Sequence, residues 1–153
     1  MSEISPGTER NFMSDNCFLD TNILVYAHDS AENKKRERAR ELIRGLFKTG
    51  FGAISTQVLQ EFYVTVTGKI TTPLPASDAL SAIDLYSQFY VARVDIPLVK
   101  RAANLQQKEQ ISFWDALIIA AAARSGCQTL YSEDLNHGQT YDTVKVINLF
   151  KNN

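Results

Sequence analysis

The chain has 153 residues, 44% of them apolar and 22% charged, which suffices for one domain with its own core and rules out disordered and fibrous classes. Sixteen basic against 17 acidic residues leave a net charge of −1, so no global positive field draws in nucleic acid and any such contact needs a local patch. The two cysteines, Cys17 and Cys127, are too few and too far apart for a disulfide framework or a cysteine-based zinc site.

Residues 1–16 are polar and aperiodic, with Pro6 and Gly7, and read as a flexible tail ahead of a single domain over 17–153. Cys17–Leu19 reads as a short buried strand, followed by a short helix from Asn22 to about His28. From Asn33 to Phe47 the apolar residues Ala39, Leu42, Ile43, Leu46 and Phe47 recur at helical spacing, predicting an amphipathic helix. Phe51–Ile54 predicts a second strand, and Ser55 an N-cap for a helix to about Thr67. After a loop with two prolines come a helix over Ala76–Gln88, a strand over Tyr90–Val94 and a helix to about Glu109 with Pro97 in its first turn. Phe113–Ser125 predicts a helix closed by Gly126, then a strand at Thr129–Tyr131 and a further one at Val144–Ile147. Alternating strands and helices make the fold class α/β, with a mostly parallel sheet of four or five strands flanked by helices. The longest apolar run, Ala116 to Ala123, is eight residues, far short of the ~20 of a membrane span. The N-terminus lacks the basic and apolar regions of a secretion signal, so the expectation is a cytoplasmic protein with no membrane partner.

In an open parallel sheet, chemistry gathers beyond the carboxyl ends of the strands, and here acids follow them. Asp20-Thr21-Asn22 follows the first strand, Ser55-Thr56 opens the helix that carries Glu61, and Ser132-Glu133-Asp134 follows the fourth strand. Asp115 starts the most apolar helix. Each acid alone has a plain structural reading. Asp20 serves equally as an N-cap, Glu61 as a boundary glutamate, Asp115 as part of a capping box with Ser112, and Glu133 or Asp134 as turn residues. Together they repel: two unit charges ~4 Å apart cost about 4 kcal/mol at an effective dielectric of 20. Such a cluster calls for a cation, and all-oxygen ligation suits Mg²⁺ or Mn²⁺. With only His28 and His137 in the chain, a histidine-rich metal centre is excluded. Carboxylate sites for hard cations commonly serve phosphoryl chemistry.

The segments Phe18-Leu-Asp-Thr-Asn-Ile-Leu-Val-Tyr-Ala27, Gln60-Glu-Phe-Tyr63, Phe113-Trp-Asp-Ala-Leu-Ile118 and Leu130-Tyr-Ser-Glu-Asp-Leu135 resemble the four acidic motifs of PIN-domain ribonucleases, and more closely those of VapC-type toxins. The resemblance spans about residues 16–150. It implies a PIN-like fold and a Mg²⁺- or Mn²⁺-dependent endoribonuclease in which Asp20, Glu61, Asp115 and Asp134 take the acidic positions. Asp20 and Asp115 are then expected as direct metal ligands. Glu61 and Asp134 act on a second ion, on water bound to the metal, or through water, with Asn22 and Ser132 as supporting neighbours. It further implies RNA as substrate, an antitoxin protein as partner, and a homodimer.

The helix from Asn33 carries a surplus of positive charge, including Lys34, Lys35 and Arg38, which reads either as a solvated face or as the local patch for RNA or an antitoxin. His137, in the polar stretch after Asp134, is either a further contact or a surface loop histidine. The alternative function is a PIN-like or receiver-type carboxylate- or metal-binding module without nuclease activity. Against a receiver or a haloacid-dehalogenase phosphatase, Asp20-Thr21-Asn22 offers one carboxylate where either needs a pair. The seven glycines never fall at phosphate-loop spacing.

Overall fold

The computed structural model describes residues 15–151. The expected tail therefore lies outside the described residues, apart from Asp15 and Asn16. In chain order the elements are β1 (Asn16–Leu19), α1 (Thr21–Tyr26), α2 (Asn33–Thr49), β2 (Gly52–Ser55), α3 (Thr56–Gly68) and α4 (Ala76–Tyr86). Then follow β3 (Tyr90–Ala92), α5 (Ile96–Glu109), α6 (Phe113–Arg124), β4 (Cys127–Tyr131), β5 (Thr140–Tyr141) and β6 (Val144–Ile147).

The sheet runs β3-β2-β1-β4-β6-β5. Every pair is parallel except β5 with β6. Six strands, rather than four or five, make up the sheet. The extra one, β5, is two residues long and offers no alternation to read. It exists because Asp142, at φ 58°, turns the chain tightly back into β6, and aspartate is among the few non-glycine residues that tolerate that region.

The core lies on both faces of the central strands. Phe18, Leu19, Ile54, Leu130 and Val146 are fully buried, as strands covered by helices on both faces require. The helix α6 is buried along Ala116–Ala122, which explains its uniformly apolar sequence. At Gly52 a Cβ would stand 2.6 Å from the Phe89 ring, so only glycine lets β2 pass that aromatic.

Local signals set the helix starts. Ser55 Oγ accepts from the Val58 amide, Asp95 from Leu98, and Ser112 Oγ from Asp115, each satisfying an amide with no partner inside its own helix. The helix α1 begins one residue before its predicted start, because Asp20 itself accepts from the Thr21 amide as N-cap. Among the described residues no helix is long and apolar enough to cross a membrane.

Candidate active site

At the carboxyl edge of the sheet, β1 and β4 lie side by side, with Leu19 in register with Tyr131. The next residues in each strand, Asp20 and Ser132, therefore emerge together. Asp20 is 4% exposed, its Oδ1 accepting from the Thr21 amide at 2.7 Å and its Oδ2 from Ser132 Oγ at 2.7 Å. The fully buried Ser132 Oγ also accepts the Asp134 amide at 3.1 Å. One hydroxyl thus links the first acid to the loop carrying the fourth.

Asn22 makes the second link. Its Nδ2 donates to Asp134 Oδ2 at 3.1 Å, while its Oδ1 accepts the Glu133 amide at 3.2 Å. Glu61, half-buried on α3, accepts from Thr21 Oγ1 at 2.7 Å and from Gln57 Nε2 at 3.2 Å. The same Gln57 nitrogen reaches the Trp114 carbonyl at 3.3 Å, which ties α3 to the first turn of α6, where Asp115 sits. All four predicted acids therefore border one locus. The supporting residues Thr21 and Gln57 were missed from sequence. Gln57 carries a signal in its i,i+4 spacing from Glu61, and Thr21 in lying directly after Asp20.

The charges of Asp134 and Glu61 bear on both Asp20 and Asp115. Burial is the main cause that pushes Asp20 up to about 7, against the lowering bonds from Ser132 and Thr21, and the charges of Asp134 and Glu61 add to it. Asp115 is also raised, first by burial and then by the same two charges, with Ser112 opposing. Among the described residues the ion pairs are Lys35–Glu133, Arg101–Asp142 and Arg124–Asp95, so none neutralises the four acids.

Among the described residues no three His, Cys, Asp or Glu side chains stand close enough to cage a metal by themselves. Carboxylate oxygens are the donors Mg²⁺ takes, one or two at a time beside waters and substrate phosphates. A closed zinc-type site draws instead on cysteine and histidine. The donors are all hard oxygens, and Asp20 among them is raised chiefly by burial and further by the charges of Asp134 and Glu61. The residues present therefore fit a hydrated divalent ion.

An open cleft of about 480 Å³ adjoins the acids and is lined by Asn22, Tyr26, Glu61, Thr65, Lys69 and Asp134 among others. Lys69, at the end of α3, had no motif to mark it. Glu133 is committed elsewhere: it accepts from Tyr26 Oη at 2.7 Å and pairs with Lys35 Nζ at 2.5 Å. Lys35 lies 4.6 Å from the Tyr26 ring centroid. Lys34 and Arg38 are exposed on α2, and His137 is exposed in the loop after Asp134.

A family model described as PIN domain matches residues 17–142. The chain belongs to the PIN-domain family. No curated protein matches it. Among solved structures, this PIN domain is similar to VapC20 of Mycobacterium tuberculosis, a sarcin-ricin loop cleaving toxin, at 22% identity and TM-score 0.61, covering 78% of this chain and 90% of that one. It is similar also to a toxin–antitoxin complex from Klebsiella pneumoniae, at 17% identity and TM-score 0.65, covering 88% and 98%. A third, VapBC2 from Rickettsia felis bound to a DNA fragment from its promoter, is 23% identical with TM-score 0.61, covering 85% and 96%. At these identities the likeness is one of fold.

Proposed function

We propose that this PIN domain is a divalent-metal-dependent endoribonuclease, with Asp20, Glu61, Asp115 and Asp134 as its catalytic acids, and that it is the toxin of a VapC-type toxin–antitoxin pair. The observation that carries the reading is the gathering of four acids from distant segments at one sheet edge, unneutralised by any cationic side chain among the described residues. The similarity of the fold to a ribosomal-loop-cleaving toxin and to toxin–antitoxin complexes supports RNA as substrate and an antitoxin as partner. A homodimer is part of the proposal on the family resemblance.

Asp20 and Asp115 would hold the ion directly, with Glu61 and Asp134 binding a second ion or acting through water. When bound, Mg²⁺ or Mn²⁺ supplies positive charge against the phosphate and makes water nucleophilic near neutral pH. The chain's own groups set the geometry. Ser132 and the Thr21 amide fix both oxygens of Asp20, Asn22 turns Asp134, and Thr21 with Gln57 holds Glu61. Hydrolysis breaks the bond from phosphorus to the 3′ oxygen, leaving 5′-phosphate and 3′-hydroxyl ends.

The test is cleavage of an end-labelled tRNA pool by the purified chain with Mg²⁺, with Mn²⁺ and with EDTA, beside Asp20→Ala. Discrete fragments that need metal and vanish in the variant are expected. Intact RNA in every lane, with metal binding retained, would favour the non-catalytic binding module.

A further inference from the structure

Beside the acidic cleft lies a second hollow of about 470 Å³, lined by Arg38, Tyr131, His137, Asn148, Leu149 and Lys151 among others. Its position follows from the site already described. Tyr131 immediately precedes Ser132, and His137 lies three residues beyond Asp134. Arg38 stands one helical turn beyond Lys35, which reaches Glu133 beside Asp134. The hollow therefore flanks the end of β4 and the loop that follows Asp134.

Its chemistry is the opposite of the cleft's. Arg38 and Lys151 are exposed, and no carboxylate among the described residues pairs with either. His137 Nδ1 accepts the Asn148 amide at 3.0 Å, so in the neutral ring Nε2 carries the hydrogen and remains as a free donor. The frame is built rather than loose. The loop carrying His137 is fixed to β6 by Gly138 N to Val146 O at 2.8 Å and Val146 N to Gln139 O at 2.9 Å. The turn carrying Lys151 is closed by its amide on Asn148 O at 3.2 Å, and Asn148 Oδ1 accepts from the Phe150 amide at 2.9 Å. Tyr131 and Leu149, both half-buried, supply an apolar floor.

We infer that this hollow binds the phosphate backbone of the RNA next to the cleaved bond, with Arg38 and Lys151 as its cations and the His137 ring as a fixed donor. Two cations and an N–H donor suit phosphate oxygens, and an aromatic floor suits a stacked base or sugar. A protein of net charge −1 with an acidic reaction centre needs such a patch to hold a polyanion at all. The inference rests on the nuclease reading for its choice of ligand, so its test separates the two.

The test measures binding of a fluorescent mixed-sequence single-stranded RNA in EDTA, as a function of salt, for the wild type and for a Arg38→Ala/Lys151→Ala double variant. Lys108→Ala on α5 serves as control. Both target side chains are exposed, and thermal melting checks that the variant folds. The double variant is expected to bind about tenfold more weakly, with a log–log salt slope shallower by about 1.4, at about 0.7 per phosphate contact. Lys108→Ala should change neither. An unchanged slope and affinity in the double variant would overturn the assignment. So would loss of affinity for a poly-glutamate peptide alone, which would make the hollow a site for an acidic polypeptide. Metal-dependent cleavage separates the two claims. Cleavage with unaltered KM in the double variant would remove the RNA subsite and leave the nuclease standing. Pocket-dependent binding without cleavage by the wild type would do the reverse.

Discussion

At the residue scale, Asp20 carries the sharpest consequence. Its carboxyl is pushed from 3.8 up to about 7, chiefly by burial, so between those values the folded chain holds a proton that the unfolded chain has released. Stability is then full below pH ~4, falls as pH rises to ~7, and stays lowered above that. At about 1.4 kcal/mol per tenfold the cost is on the order of 4 kcal/mol. In EDTA, Asp20→Asn should melt higher than wild type at pH 8 and show a flatter profile from pH 4 to 7, its oxygen still accepting the Thr21 amide. Superimposable melting profiles would show that the Asp20 charge has no such cost.

Glu133 and Asp134 illustrate how far sequence carries at this scale. Adjacent acids in one loop look alike on paper. In the fold Asp134 is turned by Asn22, and Glu133 is taken by Tyr26 and Lys35, partners 107 and 98 residues away that no local spacing announces. Lys35→Met, which keeps the stem over Tyr26, should cost about 1 kcal/mol or less, because the pair is partly solvated. Denaturant melts would measure it, and a loss of several kcal/mol would mean that the pair holds the loop in place.

At the element scale, the caps and periodicities that place the acids are local signals. Ser55 and Ser112 were legible for that reason, and so was the strand that Ser55 ends. Strand β5 was not, since two residues carry no period. Nor were the hydrogen bonds of Thr21 and Gln57 to Glu61, because they depend on how α1, α3 and α6 meet. Ser55 is fully buried and caps the helix bearing Glu61, so Ser55→Ala should destabilise by roughly 1–2 kcal/mol. Chemical denaturation reports this, and a change below about 0.3 kcal/mol would show that the Val58 amide finds another partner.

At the scale of the whole molecule, the fold delivers four acids that no ion pair neutralises among the described residues, near a basic hollow. An ion that binds only the folded state raises the melting temperature by mass action. Mg²⁺ or Mn²⁺ should therefore stabilise the wild type, and Asp115→Asn should lose that increment. A metal response that survives in Asp115→Asn would place the ion elsewhere.

The central claim is that the four acids form one catalytic unit, and single-turnover RNA cleavage by single and double variants tests it most directly. Groups that act as a unit are non-additive. Asp20→Asn and Asp115→Asn should each abolish metal-dependent cleavage, and the double variant should lose no more than either alone. Cleavage at the wild-type rate in either single variant, or cleavage that proceeds in EDTA, would contradict the account.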